Sequence, residues 1–580
     1  MKLTNIELFR NKTTVTSVLQ NLLEDKPEST ACILIYPDKP DETYSVRQLL
    51  KRATDFAGSF ESVSSDSKQL VCICLYHGLD LIAAFIGSFL AGHIPTMIAP
   101  PSPRMEREKY VLSFERMIEC LRPACVVTGR DVITNLDELE LGGVFTGKVI
   151  YNHEVPKRAK ESDLKKFATE ANPEDIVLLQ HSSGTTGLQK GVALSHRAVL
   201  NQVFTYAVAL SLRADDVIVS WLPLYHDMGL IACFLLPLLC GVPFVQMSPF
   251  DWVLRPVMLL EAIDRYKGTL SFLPNFAYEF LRSSVRASQM ESLSLSSLRG
   301  LINCSEPVSN RTHTHFLEKF QSAGIRPDQL WACYAMAENV FAVTQSPVGI
   351  RATVDRIKRE SFTNNHLSLP SEPDQKETNI FEFVSCGRPI KGTEIRIMGN
   401  DDRIYPERTI GEICIRGNSL FDGYYSRDDL TQSAFTSNGW YKTGDLGYIA
   451  DGNLFITGRK KSLIIVQGRN FYSADIEAIV SEIKGVIAGR VVALGMWDER
   501  LGTESITILA ETDNITPQLR GKIELEIRQR VAQELDCTVG EMHFVPPRWL
   551  IKSTSGKISH SDNKRKFLKE IVNRKSRKNA

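Results

Sequence analysis

Between about residues 30 and 460, short β-rich runs alternate with segments of helix length, and this alternation restricts the fold more than any other feature. The runs read "VCICLY", "IPTMIAP", "ACVVTG", "DIVLLQHSS", "GVPFVQM", "GTLSFLP" and "LRGLINCSEP". Strands separated by helical stretches imply βαβ units and largely parallel sheets, so the expected fold class is α/β. At 580 residues the chain is too long for one core, and two or more domains are expected.

Near "FITGRKKSLIIVQGRN" the texture changes, and a boundary at Lys461 divides a large unit, 1–460, from a smaller one, 461–580. The smaller unit reads as a "DIEAIVSEI" helix, "RVVALGMW" and "ESITILAET" strands, and an amphipathic helix from about Thr516 to Leu535. The stretch "FTNNHLSLPSEPDQKETN" is polar, contains proline and is almost free of periodicity, which predicts a surface excursion. The tail "NKRKFLKEIVNRKSRKNA" is basic, as many solvated ends are.

A formal net charge of zero, with 43% hydrophobic and 23% charged residues, is ordinary globular composition and gives no electrostatic reason to expect nucleic acid. The start "MKLTNIELFRNKT" has no apolar core followed by small residues, so a cytoplasmic protein is predicted. Two apolar runs, "LIAAFIGSFLAGHIPTMIAP" and "LIACFLLPLLCGVPFV", carry His93 and Pro95, and Pro237, Gly241 and Pro243. They read as buried helices leading into strands, with no transmembrane segment. The twelve cysteines show neither metal-ligand nor disulfide spacing and read as small core residues.

The stretch "HSSGTTGLQKG", His181 to Gly191, has the composition of a phosphate cradle. Glycines let backbone N–H groups turn toward an anion, and the hydroxyls of Ser182, Ser183, Thr185 and Thr186 add donors. It is not a Walker loop, because Leu188 and Gln189 stand between Gly187 and Lys190. The run before it reads as a strand and the run after it as a strand followed by a helix, so the cradle bridges two strands.

Five further stretches follow in order: "WLPLYHDMGL", "NCSEPV", "YAMAEN", "YKTGDLGY" with "TGRKKSLIIVQGRN", and "IKSTSGKIS". Together with the cradle they resemble the adenylate-forming superfamily, which includes acyl-CoA synthetases, luciferases and peptide-synthetase adenylation domains. The resemblance covers nearly the whole chain. It implies a large N-terminal domain of βαβ-built sheets with a distorted β-barrel, and a small mobile α+β C-terminal domain. It also implies attack of a carboxylate on the α-phosphorus of ATP, yielding acyl-AMP and pyrophosphate, with positioning and electrostatics supplying most of the rate.

Residue by residue, the resemblance gives Ser182, Ser183, Gly184, Thr185, Thr186, Gly187 and Lys190 to the β- and γ-phosphates. Tyr334 would stack on adenine beside Ala335, Met336 and Ala337, and Ser305 and Glu306 would line the same base. Glu338, with Thr185, would hold Mg²⁺, an oxygen-seeking cation. Asp445 would accept from both ribose hydroxyls, supported by Arg459. His226 matches a gating position between the carboxylate site and the acceptor tunnel. Lys557 is the implied catalytic lysine that bridges the attacking carboxylate and the α-phosphate, and Lys461 the hinge about which the small domain swings.

Within that superfamily, "VSCGRPIKGTEIRI" and "LIIVQGRNFYSADIE" resemble fatty acyl-AMP ligases more closely than acyl-CoA synthetases. The segment from about Ile350 to Ile380 falls where those ligases carry an insertion that packs against the small domain and disfavours transfer to CoA. The implied acceptor is the phosphopantetheine of an acyl carrier protein, or a polyketide or peptide synthase carrier domain in trans. Apolar side chains in "FLLPLLCGVPFVQMSPFDWVLRP" and "SFLPNFAYEF" suit a tunnel for a fatty acid. The sequence departs from the usual wording at Tyr-Ala-Met, where glycine commonly follows the tyrosine, and at Ser462, where an acidic residue is common. Three alternatives stand beside this reading. One is an acyl-CoA synthetase; another is an amino-acid adenylating enzyme, for which Asp227 could bind an α-amino group. The third, a binding protein without catalysis, sits poorly with the presence of both Lys557 and Glu338.

Overall fold

The computed structural model describes residues 13–572 except 62, 64–67, 102–106, 134–144, 146, 161–162, 164–170, 183–189, 377–378, 467–468, 500, 502, 514–515, 536 and 553–556. Its largest sheet has nine strands, of which six run parallel: Thr30–Ile35, Phe244–Met247, Ile218–Ser220, Leu270–Leu273, Gly300–Asn303 and Leu330–Ala335, in that spatial order. Strands Leu270–Leu273 and Gly300–Asn303 are buried along their whole length, the pattern expected of parallel strands covered by helices on both faces. Gly300 is required there: a Cβ would fall 2.5 Å from the Trp331 ring on the neighbouring strand.

A second, four-stranded sheet is also parallel: Ile94–Met97, Leu70–Cys74, Cys125–Thr128 and Lys148–Tyr151. The α/β expectation and six of the seven quoted runs are therefore borne out in parallel strands. The seventh, "DIVLLQHSS", forms strand Ile176–Ser182, which pairs antiparallel with Lys190–Ser195 in a separate three-stranded sheet. The cradle thus joins two hydrogen-bonded strands, with Ser182 opposite Lys190. Residues 183–189, which include Ser183, Gly184, Thr185, Thr186 and Gly187, lie outside the described residues.

A four-stranded antiparallel sheet follows, built from Thr393–Met398, Gly411–Gly417, Tyr441–Ala450 and Asn453–Arg459. Beyond it a separate core begins at Ile464. There the sheet Val486–Asp498, Thr503–Thr512 and Val539–Val545 is covered by helices Ser473–Ser481 and Pro517–Leu535. The longer helix buries Ile523, Ile527, Val531 and Leu535, one stripe at four-residue spacing.

The apolar run at 81–100 is helix Leu79–Leu90 leading into strand Ile94–Met97. Among the described residues no helix is long and apolar enough to cross a membrane. All twelve cysteines are free thiols and ten are buried.

The expected surface excursion is borne out over most of its length, with 364–366, 369–370 and 372–374 exposed, but its first residue is anchored in the core. Strand Val354–Lys358 and helix Arg359–Asn365 precede strand Ile380–Val384, and the two strands pair antiparallel. Phe362 is only 3% exposed, and its ring centroid lies 5.2 Å from those of Phe381 and Phe383 and 5.7 Å from that of Tyr472. Burying one aromatic ring outweighs the polarity of its neighbours.

Candidate active site

A cavity of about 970 Å³ opens beyond the carboxyl ends of the parallel strands. Trp221, Leu222 and Pro223 follow strand Ile218–Ser220, and Pro249 and Phe250 follow Phe244–Met247. Pro274 and Phe276 follow Leu270–Leu273, and Ser305 follows Gly300–Asn303. This is where open parallel sheets bind ligands, because the loops there converge while the strands stay rigid. The small unit closes the cavity from the other side with Arg490, Lys552 and Lys557.

At one end stands a carboxylate already held by two groups. Asp445 is 6% exposed; its Oδ2 accepts from the Tyr334 hydroxyl at 2.7 Å, and its Oδ1 lies 3.0 Å from Arg459 Nε. Backbone pairing sets this geometry, since Asp445 and Arg459 face each other across antiparallel strands. Tyr334 is buried beside the cavity, and the residues after it, Ala335, Met336, Ala337 and Glu338, line the wall.

Burial pushes the Glu338 carboxyl above the usual range, with the Tyr424 hydroxyl, which donates to Oε1 at 2.9 Å, pulling the other way. Two residues on, Val340 adopts a left-handed φ of 59°, which a β-branched side chain rarely takes, and its carbonyl accepts from Gln180 Nε2 at 3.2 Å. Lys190 Nζ lies 4.3 Å from the Tyr424 ring centroid. Partial burial lowers its pKa and the Glu338 charge raises it. A half-buried carboxylate that lines the cavity near a lysine fits a hard divalent cation whose remaining ligands are phosphate oxygens.

His226 and Asp227 open a helical stretch, Met228–Leu235, wound with the wide i→i+5 turn that often marks functional positions. Gly229 is needed here, since a Cβ would fall 2.2 Å from the Pro223 carbonyl. The His226 ring packs edge-on to Tyr225 on the cavity wall. Burial pushes the Asp227 carboxyl up, opposed by the charge of Lys557. Lys557 Nζ donates to the Ser305 carbonyl at 2.5 Å, a contact between the two units, and Ser305 itself has φ 73°.

The other end of the cavity is aromatic. Trp221 and Trp252 stack with ring centroids 3.7 Å apart and planes 9° from parallel, flanked by Phe276 and Phe280. Phosphate-side charges and an apolar aromatic wall in one void suit a ligand with an anionic head and an apolar body.

The structure therefore brings Lys190, His226, Ser305, Ala335, Met336, Ala337, Glu338, Asp445, Arg459, Lys461 and Lys557 to one cavity. Glu306 does not line it: its Oε2 accepts from the N–H of Phe276, which does, at 2.9 Å at the start of helix Asn275–Ser284. Sequence reasoning assigned no role to Arg490, Lys552, Tyr424 or Trp221, whereas Trp252 falls in the run read as lining the apolar tunnel. Lys552 stands in the same motif as Lys557, five residues earlier, and that proximity was the available signal.

The AMP-binding enzyme family matches residues 19–425. The chain is 30% identical to a medium-chain-fatty-acid–[acyl-carrier-protein] ligase, JamA, of Moorena producens (strain JHB), over 92% of this chain and 91% of that one. It is 29% identical to a putative acyl-CoA synthetase of Caulobacter vibrioides over 84% of each. Among solved structures it is similar to one from a study of fatty acyl-adenylate ligases from E. coli and L. pneumophila, with TM-score 0.87 and 25% identity over 97% of this chain and 98% of that one. With the match spanning most of its length and the cavity at the carboxyl ends of its parallel strands, the chain belongs to the AMP-binding enzyme family.

Proposed function

We propose that the protein activates a fatty acid as its acyl-adenylate, releasing pyrophosphate, and then passes the acyl group to the phosphopantetheine thiol of a carrier protein or carrier domain. The observation that carries this reading is the meeting of Lys557, from the small unit, with Glu338, Lys190 and the Asp445–Arg459 pair in a cavity whose far wall is aromatic. The JamA relative supports both the acid and the carrier acceptor.

In the first step a carboxylate oxygen of the acid bonds to the α-phosphorus of ATP, and the bond from that phosphorus to the bridging oxygen breaks, so pyrophosphate leaves with both electrons. Lys557 neutralises the charge that gathers between the two anions. Lys190 and the cradle residues Ser182, Ser183, Gly184, Thr185, Thr186 and Gly187 hold the departing end, and Asp445 takes the ribose hydroxyls. Mg²⁺, when bound, would be held by Glu338 and Thr185 and would shield the phosphate oxygens. His226 orients the carboxylate. In the second step the carrier thiolate attacks the acyl carbonyl and AMP leaves. The unit 461–580 turns about Lys461 between the steps, which frees the face that Lys557 occupies during the first.

The Caulobacter relative favours a second reading, in which CoA is the acceptor. Incubating the protein with ATP, Mg²⁺ and dodecanoate, with and without CoA, and weighing the acyl product decides between them. Acyl-AMP that persists in the presence of CoA is expected. Conversion to acyl-CoA would move the protein to the synthetase branch.

A further inference from the structure

Lys557 is not the only cation the small unit brings to the cavity. Arg490, on strand Val486–Asp498, and Lys552 line it too. Arg490 is tethered at the segment just before Lys552: its Nη1 donates to the Leu550 carbonyl at 3.5 Å, and its Nε lies 3.7 Å from Glu511 Oε2. Glu511 is 1% exposed, and its Oε1 accepts from the Leu550 N–H at 2.7 Å. Lys552 forms an isolated antiparallel bridge with Ile558, the residue after Lys557, which ties the backbones at the two lysines together.

Two cations are thus held side by side with Lys552 open to the void. Burial by its neighbours and the Arg490 charge push Lys552 down to about 8, although Glu306 and Glu511 pull the other way. Both carboxylates are also engaged elsewhere: one oxygen of Glu306 accepts from the Phe276 N–H, and Glu511 is shared between the Leu550 N–H and Arg490. Like charges kept close in a cavity raise the local concentration of an anion that relieves them.

The position selects the anion. The charged neighbours of Lys552 are Arg490, Glu306 and Glu511, whereas those of Lys190 are Glu338, Lys461, Arg427 and Asp429. Lys190 and Lys552 thus sit among different charged groups, Lys190 facing Glu338 and Lys552 facing Arg490. The acidic neighbour of Lys552, Glu306, is anchored on Phe276, a member of the aromatic wall. We propose that Lys552 and Arg490 form a carboxylate-capture pair that draws the anionic head of the acid to the mouth of the acyl end and hands it to Lys557. The pair rests on the reading of the substrate as a fatty acid, and Lys552 acts as a positioning residue.

The test is pyrophosphate release by the full chain at saturating ATP and Mg²⁺, with dodecanoate varied. Lys552→Gln should raise the KM for dodecanoate about three- to tenfold, the loss of one partly solvated charge contact, and leave kcat and the KM for ATP within about twofold. In the wild type the KM for dodecanoate should rise as pH passes about 8, where Lys552 loses its proton. Lys552→Arg should keep the low KM and abolish that rise, a result that a merely structural role would not produce. An unchanged KM in Lys552→Gln, or the same rise in Lys552→Arg, overturns the capture pair. A wild-type chain that releases pyrophosphate with no fatty acid overturns the parent reading instead.

Discussion

The two faces of the cavity are built differently. On the large unit, Asp445 and Glu338 are held by neighbours before any ligand arrives. Asp445 sits between Tyr334 and Arg459, Glu338 is met by Tyr424, and Tyr424 in turn lies 3.1 Å from the Tyr441 hydroxyl. On the small unit, Lys557 reaches across the gap to a backbone carbonyl, and Lys552 stands open to the void. The contrast separates two tasks. Recognition is pre-organised on one side, whereas the charge that stabilises the transition state is supplied by the position of the other.

The sharpest way to break this division is Lys557→Ala. Adenylation, followed as pyrophosphate release, should fall about a hundred- to a thousandfold, as when one transition-state donor is removed. ATP affinity by calorimetry should stay close to wild type. A comparable loss of ATP affinity would mean that the two faces are not separable.

Asp445→Asn addresses the opposite face. It removes a buried charged acceptor and leaves Arg459 without its counter-charge, so the Kd for ATP should rise about ten- to a hundredfold. The rate at saturating ATP should change less than in Lys557→Ala. If turnover collapses while affinity holds, the large unit does more than recognise.

A smaller effect concerns how the small unit is seated. Arg311 forms an ion pair with Glu482, and Asp475, in the first turn of helix Ser473–Ser481, feels the charge of Arg359 on the 350–380 segment. Burial raises Asp475 to about 7. An unfolded aspartate ionises near about 4, so the folded form binds the proton more tightly, and its contribution to stability is lost as pH rises from about 4 through about 7. Asp475→Asn should flatten that part of the denaturation profile and gain about 1–2 kcal/mol near pH 8. An unaltered profile would show that Asp475 is solvated in solution.

Much of the frame was legible because the parallel strands are continuous apolar runs. Leu70–Cys74 and Gly300–Asn303 could hardly lie anywhere but inside. The same signal could not tell that Ile176–Ser182 pairs antiparallel, since pairing direction depends on a partner that local composition does not name. In the 350–380 segment one ring, Phe362, decided the packing against a residue more than a hundred positions away, and a window dominated by polar residues hides such a contact. The site followed the same rule. Lys557 and Asp445 were reached through motif resemblance, but Lys552 became distinguishable from any other surface lysine only when Arg490 was found beside it. The stacking of Trp221 on Trp252 likewise joins a residue after strand Ile218–Ser220 to one in helix Pro249–Leu254.

That stack has an optical consequence. Two indoles stacked 3.7 Å apart with nearly parallel planes share their excitation, so the pair should give a circular dichroism couplet in the far-ultraviolet, where indole absorbs strongly. Trp497, 67% exposed on the small unit, should carry the red-shifted emission that an aqueous quencher removes. The emission that survives the quencher comes from the stacked pair together with the buried Trp331 and Trp440, and of these only the pair lines the cavity. An acid settling against the pair would therefore announce itself in the protein's own fluorescence, without a label and without turnover.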